Sequence, residues 1–435
     1  MPVSINGKNY DIVYGIKPIE KMGGDKLTYS MYGDNIPIIE AIIGEKIIST
    51  SLTRLDSWVV TKSGDLYGCG HNSYGQQGDG TTTHVLTWTK RASNVKKVAS
   101  STYTTWYIDN NNELYGCGYN YYGQQGDGTT TDVLTFTKRA ENVRDIQCSD
   151  QTTWYIDNNG DLYGCGYGSD GNQGNGKSGS SNIVKTFTKR AENVKEVYCD
   201  DYITWYMTSD NDFYGCGKND YRQQGSGDTA AYVPTFTKRA EGIKEFACSS
   251  NASFYVTNDN ELYGCGKNNS GQLGDGSATN INTFTKLAEN VQKIKCSNQT
   301  TWYIDNNNDF YGCGYNSSGH QGSGNRNNVL TWTKRAENVK DFACSNGATF
   351  YATNNGDLYG CGNNTYGQQG SGDNETVLTF TKRAENVKQI LCCDNTTWYI
   401  DNNGDLYGCG AGSNGQQGNG SKSIVLTFAK AELPE

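Results

Sequence analysis

The sequence predicts an all-β fold, a closed β-propeller built from four-stranded antiparallel blades. Three observations predict it. The pentapeptide (L/F)YGCG starts at Leu66, Leu114, Leu162, Phe213, Leu262, Phe310, Leu358 and Leu406, at offsets of 48, 48, 51, 49, 48, 48 and 48 residues. A regular period of this length marks a repeat array. Each period contains four short stretches of β-forming residues separated by turn-forming ones. A sheet that small cannot bury its own faces, so the units must stack, and only a circle leaves no end uncovered.

The chain divides into an N-terminal segment, 1–46, and a propeller, 47–435. Within the first, Ser4-Ile5-Asn6-Gly7-Lys8 followed by Ile12-Val13-Tyr14-Gly15 predicts a hairpin with an Asn-Gly turn. The apolar run Ile36 to Ile43 aligns roughly with the strand that ends each repeat. Either Ile38–Ile43 or Val425–Phe428 completes the last blade.

The unit Val143 to Asn193 shows the pattern. Val143, Ile146 and Cys148 begin a first strand, Thr153-Trp154-Tyr155-Ile156-Asp157 is a second, and Leu162-Tyr163-Gly164-Cys165-Gly166 is a third. After a glycine-rich loop through Gly171-Asn172-Gln173-Gly174, Val184 to Thr188 is the fourth. With Asn159-Gly160 as a two-residue turn, Asn158 faces Asp161, Ile156 faces Tyr163, Tyr155 faces Gly164 and Trp154 faces Cys165. The position of Trp154 is aromatic in every unit: Trp58, Trp106, Trp205, Phe254, Trp302, Phe350 and Trp398. A large ring opposite a glycine or thiol suits close packing between blades, each burial contributing on the order of 2 kcal/mol.

The cysteines follow the repeat. Eight sit in the pentapeptides, six more (Cys148, Cys199, Cys248, Cys296, Cys344, Cys392) precede the pentapeptide start by 14 residues, and Cys393 is extra. Cys148 and Cys165 fall on strands separated by a third, roughly 10 Å apart at ordinary strand spacing, beyond disulfide reach. The sequence has no CxxC and three histidines, which points to free thiols packed as small hydrophobes rather than to metal.

A net charge of −9 argues against nucleic-acid binding, and no apolar run is long enough for a membrane span. The N-terminus lacks signal-peptide character, so release from a cell implies lysis, a particle or an unmarked route. The Asp157-Asn158-Asn159-Gly160-Asp161 element has Leu162 where a calcium loop needs glycine, and reads as a turn. The Gly-Gln-Gln-Gly loops lack the Lys-Ser/Thr of a phosphate loop, and glutamines bonding loop backbone account for them. The recurrent Thr-Lys-Arg-Ala-Glu-Asn (137–142) reads as a self-neutralising rim. His71, His84 and His320 lie in separate contexts. No nucleophile, metal cluster or cofactor motif appears, so the chain is expected not to be an enzyme.

The run from Val143 to Cys148, through Asn159-Gly160-Asp161-Leu162-Tyr163-Gly164-Cys165-Gly166, to Gly171-x-Gln173-Gly174 resembles the repeat of the regulator of chromosome condensation family. Gly271-Gln272-Leu273-Gly274 matches its signature most fully. The resemblance covers residues 47 to about 431 and implies a ring of four-stranded blades. Members commonly have seven, whereas eight intact signatures favour eight here. Cys165 and its equivalents stand where the family usually has Trp, and Arg222 replaces a signature glycine. The founder looks like a nucleotide-exchange factor with an inserted wedge, and the even spacing here leaves no comparable insertion. A secreted bacterial inhibitor of similar fold implies a protein-binding face. Ile5-Asn6-Gly7-Lys8-x-x-x-Ile12-Val13-Tyr14-Gly15 is similar to segments that begin bacteriophage tail and baseplate proteins.

The repeats differ mainly in loops, where Tyr and Asn suit protein and sugar recognition. Tyr74, Tyr103, Tyr121, Tyr122, Tyr202, Tyr221 and Tyr366 are the candidate binding residues. The resulting expectation is a non-enzymatic virion protein of a phage tail, joined to other tail proteins through residues 1–46 and presenting loops to a surface protein or glycan. The alternatives are a free inhibitor or lectin-like effector, in the bacterial cytoplasm or released, and a small G-protein exchange factor.

Overall fold

The computed structural model describes residues 46–297, 299–345 and 347–434, with the backbone of 2–5 and 8–11. Eight four-stranded antiparallel sheets follow one another in chain order, each made only of strands consecutive in sequence. The third blade, for example, contains Val143–Cys148, Thr152–Asp157, Leu162–Tyr167 and Ile183–Ala191. Val425–Lys430 is the outer strand of the eighth blade, which decides between the two closing segments. The run 36–43 lies outside the described residues. At the N-terminus Pro2–Ile5 pairs with Lys8–Asp11, nearer the turn than the Ile12–Gly15 arm expected, which is also outside the described residues.

The hairpin register differs from the sequence expectation by one residue. Trp154 pairs with Gly164, Thr153 with Cys165, Tyr155 with Tyr163 and Ile156 with Leu162. The cause lies in the loop. Asp157 N–H donates to Asp161 O at 3.0 Å, and Asp157 Oδ1 accepts from the amides of Asn159 and Asp161. The connection is therefore the three-residue type, a turn followed by one left-handed residue, instead of a two-residue turn. Gly160 takes that position at φ 85°, and Asn112, Asn211 and Asn308 take it elsewhere at about 65°.

This register lays the indole directly on a glycine. A Cβ on Gly164 would sit 2.4 Å from the Trp154 ring, and Phe254 and Phe350 crowd Gly264 and Gly360 in the same way. Both faces of the second strand are buried, and the two faces serve different interfaces. Trp154, Ile156 and Leu162 pack on Val194, Val197 and Tyr206 of the following blade. Tyr155 packs backwards, with Trp106, Ile108 and Leu114 of the preceding one. The core therefore lies between blades, not within them.

Three further belts tie neighbouring blades. Each pentapeptide thiol donates to a backbone carbonyl of the preceding blade: Cys117 to Gln76 O at 3.3 Å, Cys165 to Gln124 O at 3.3 Å, Cys409 to Gln368 O at 3.4 Å. These thiols are donors as well as packing groups, a role their apolar reading omits. The first signature glutamine reaches forward, Gln124 Nε2 donating to Asp150 O at 2.9 Å and Gln223 Nε2 to Ser250 O at 2.8 Å. At the rim, single bridges such as Asp127↔Thr186 join each blade's long loop to the next outer strand.

The same ties close the circle. Cys69 donates to Gln416 O at 3.6 Å, Gln416 Nε2 to Arg54 O at 3.3 Å, and Thr87 bridges Asn419. Trp88 meets Trp398 edge-on at 5.8 Å. Gly164→Ala is expected to destabilise the ring by about 1–3 kcal/mol through overpacking against a ring that has nowhere to move. A lowered thermal midpoint by calorimetry checks it. Gly128→Ala, at a left-handed residue facing only a methyl group, shows the cost of backbone strain without overpacking, a strain that Gly164, outside the left-handed region, does not carry.

Candidate functional site

Antiparallel order puts the loop after the first strand and the loop after the third strand at one end of every blade. The other end carries the Thr-Lys-Arg-Ala-Glu-Asn segments. There Lys138 lies 2.5 Å from Glu113 and 2.6 Å from Glu141, and Lys189, Lys238, Lys334 and Lys382 repeat the arrangement. That rim is self-neutralised, as its sequence suggests. The two-loop end is not.

At the two-loop end the first-strand loops surround a cavity of about 640 Å³ on the axis of the ring. Cys148, Cys199, Cys248, Cys296, Cys344, Cys392 and Cys393 line it, so the second cysteine set forms a belt around the channel. Burial pushes Cys148 up to about 12 and Cys344 and Cys393 up to about 11, far from thiolate formation at neutral pH. All cysteines are free thiols.

The lining is acidic on one side. Asp150, Asp200, Asp201 and Asp394 face it, with Arg54 its one cationic side chain among the described residues. Asp150 Oδ1 accepts from Thr102 N–H at 2.8 Å and Asp201 Oδ1 from Gln151 N–H at 3.1 Å, each tying its loop to the preceding blade. Asp200 accepts from Tyr202 N–H, Ile203 N–H and Ser250 Oγ–H. Burial, followed by the charge of Asp150, raises Asp201 to about 6, and burial raises Asp150 and Asp200 as well.

Beside these acids runs a continuous row of rings. His84 lies 4.7 Å from His71, His71 6.2 Å from Tyr74, and Tyr74 5.2 Å from Tyr103 and 4.9 Å from Tyr119. Tyr119 continues to Tyr121 and Tyr122, and Tyr122 lies 4.6 Å from Tyr167. The structure thus brings together Tyr74, Tyr103, Tyr121 and Tyr122 of the sequence candidates. It adds Tyr119 and Tyr167, which directly follow their pentapeptides, and the two histidines, which do not lie in separate contexts. His71 is pulled down to about 4 by burial, then by His84. Tyr202 stands apart under Lys218 Nζ at 5.0 Å, Tyr221 under Lys267 Nζ at 4.8 Å, and Tyr366 makes no ring contact among the described residues.

His320 occupies the forward-reaching glutamine position of the sixth blade, fully buried and lowered to about 4 by burial. It is structural. Among the described residues no group of three or more His, Cys, Asp or Glu is arranged to hold a metal, and no helix is long and apolar enough to cross a membrane.

Comparison with known proteins agrees with this architecture. Residues 95–124, 243–272 and 339–368, in the second, fifth and seventh blades, match the regulator of chromosome condensation (RCC1) repeat. Yeast RCC1 (Prp20), solved bound to Kap60, is similar at a TM-score of 0.58 and 15% identity, covering 74% of this chain and 83% of that one. Prp20p from Saccharomyces cerevisiae, described with its binding to Gsp1p and histones, gives 0.55 and 18%, covering 66% and 76%. Human WBSCR16 gives 0.56 and 18%, covering 69% and 84%. At these identities the likeness shows the fold. No curated protein sequence matches the chain.

The raised carboxylates carry a stability prediction. A folded pKa of about 6 for Asp201, against an ordinary value near 3.9, means the folded state holds this proton more tightly. The penalty for its charge is absent below about pH 4 and complete above about pH 6. Asp201→Asn, whose Oδ1 can keep the bond from Gln151, is expected to raise the thermal midpoint at pH 7.5 and leave it unchanged at pH 4. Calorimetry at the two pH values measures it.

Proposed function

We propose that the protein is a non-catalytic binding module that grips a partner with the aromatic and acidic side of its two-loop face. The observation that carries this is the asymmetry of the row of rings. The strands of all blades repeat one solution, yet eight contiguous aromatic side chains occupy the first three blades alone. The equivalent positions of the fifth, sixth and eighth blades carry Lys267-Asn268-Asn269-Ser270, Tyr315-Asn316-Ser317-Ser318 and Ala411-Gly412-Ser413-Asn414. Scaffold packing cannot require rings at one arc and not at the others. Tyr121 is 62% exposed, and no hydroxyl of the row hydrogen-bonds another described residue. Rigid rings with unengaged hydroxyls on a fixed scaffold recognise proteins and sugars at low entropic cost.

The solved relatives support protein binding as the use of this fold, Prp20p being described with Gsp1p and histones as partners. We further propose that the segment 1–46, through its similarity to phage tail proteins, fixes the ring to a tail or baseplate. In that setting a closed ring exposes few sheet edges to aggregation or proteolysis.

Tyr121→Ala/Tyr122→Ala is expected to abolish binding to the cognate protein or glycan, and Tyr366→Ala to leave it intact. Glycan arrays and crosslinking with quantitative mass spectrometry read the difference. Equal binding by all three proteins would refute the assignment of the face. Deletion of 1–46 should leave the thermal midpoint of the ring unchanged and remove it from purified phage particles, as an immunoblot would show.

A further inference from the structure

We infer that the partner gripped at this face is a lysine- or arginine-rich peptide segment, whose cationic side chains seat over the tyrosines between Tyr74 and Tyr167 and against Asp150 and Asp201. The inference rests on the binding role of the face and names the chemistry that fits it.

The molecule shows what its loop tyrosines do with cations. Lys218 Nζ lies over Tyr202 at 5.0 Å and Lys267 Nζ over Tyr221 at 4.8 Å, so two loop tyrosines of this face already seat an ammonium group on the ring. From Tyr74 to Tyr167 the rings are as close to one another, but among the described residues no lysine or arginine lies over any of them. Arg54 stands near Tyr103 without lying over it, so the ring faces of that arc carry no described cation.

Charge on the same arc has the complementary sign. The ionisation of Tyr103 is pushed up by burial, then by Asp150 and Tyr74, with Arg54 opposing and Asp201 adding to the rise, so both carboxylates and one guanidinium stand near that ring. Tyr122 likewise feels Asp201, and Tyr119 feels Asp132. Arg54 is the single positive side chain lining the cavity among the described residues. Asp150 and Asp201 each commit Oδ1 to a loop amide and repel one another. A bound ammonium or guanidinium group relieves that repulsion, and the partly desolvated setting strengthens its attraction to ring and carboxylate alike. An anionic partner would meet repulsion. A neutral sugar would leave the repulsion of Asp150 on Asp201 in place. The axial cavity, about 640 Å³, has room for one extended basic side chain while others lie along the ridge.

Acidity elsewhere is of a different kind. Glu141 and Glu337 at the opposite end are three-quarters exposed and already paired with Lys138 and Lys334. They supply the control for non-specific attraction.

The test uses the full chain and three probes: a fluorescein-labelled hexalysine peptide, its hexaglutamate counterpart, and neutral chitohexaose. Hexalysine is expected to bind and hexaglutamate not to. Affinity for hexalysine should fall at least tenfold in Asp150→Asn/Asp201→Asn and in Tyr119→Ala/Tyr122→Ala, stay unchanged in Glu141→Gln/Glu337→Gln, and weaken as salt rises from 50 to 300 mM. Circular dichroism and thermal midpoints establish that each variant is folded. Loss of hexalysine binding in the Glu variants equal to that in the Asp variants would overturn the inference, as would no hexalysine binding at all. Binding of chitohexaose that depends on the tyrosines and ignores the aspartates would overturn the cationic inference and keep the face. If no substitution on the face alters binding of any probe, the inference falls together with the reading beneath it.

Discussion

The contact on which the rest of the structure depends is an aromatic ring lying flat on a glycine. Trp154 on Gly164, and its equivalents in every blade, place the largest side chain of the second strand where the third strand has none. The sheet is thereby thin at that point, so the next blade can approach closely enough for Val194, Val197 and Tyr206 to cover the indole. That approach in turn brings the next pentapeptide thiol within reach of the carbonyl at the first signature-loop position, Cys216 of the following blade lying 3.5 Å from Asn172 O. Packing and hydrogen bonding at the interface are therefore one arrangement, because a looser ring would lose both. Close packing of this kind is felt at the level of a single methyl group.

A scaffold so determined by its strands frees its loops. The signature loop is held at both ends, Gln125 Nε2 donating back to Cys117 O at 2.8 Å and Asn120 Oδ1 accepting from Gln125 N–H at 2.9 Å. Residues 119, 121 and 122, on either side of the anchoring Asn120, can then vary at little cost to the blade. Arg222 shows how far this tolerance extends. It adopts φ 68° where the sister blades have glycine, a strain of about 1 kcal/mol that the surrounding ties absorb. Tyr119, Tyr121 and Tyr122 exploit the same freedom. The ionised acids near them are held at a cost, since burial raises Asp150, and burial followed by the charge of Asp150 raises Asp201. Groups that cost stability and converge on one arc of the surface are what a binding site requires and a structural loop does not.

Much of the fold was legible because its information is local and repeated. The pentapeptide period gives the blades and their number, and the glycine-rich loops announce the turns. The register was not, because Asp157 accepts two loop amides and so selects a three-residue connection that Asn159-Gly160 alone does not reveal. The site was legible residue by residue and not as a place. Tyr74, Tyr103 and Tyr122 are distributed over two repeats, and only the curvature of the ring brings the loops of successive blades together. His71 and His84 were missed as a pair because a loop of twelve intervening residues folds back through Asn72 N–H, which donates to His84 Nδ1 at 3.2 Å. Tyr221 and Tyr366 look like Tyr74 in sequence. They differ in what the neighbouring blade offers them, a lysine in one case and no ring in the other.

A closed circle makes one demand an open array does not: the seam between the eighth and first blades must be as tight as every other. Cys69 is the thiol buried at that seam, donating to Gln416 O, and it is as fully buried as Cys117 or Cys361. Alkylation by iodoacetamide under native conditions, followed by peptide mass spectrometry, measures the seam directly. The closed ring requires Cys69 to be labelled as slowly as the seven other pentapeptide thiols, and labelling of Cys69 orders of magnitude ahead of them would show that the circle is open.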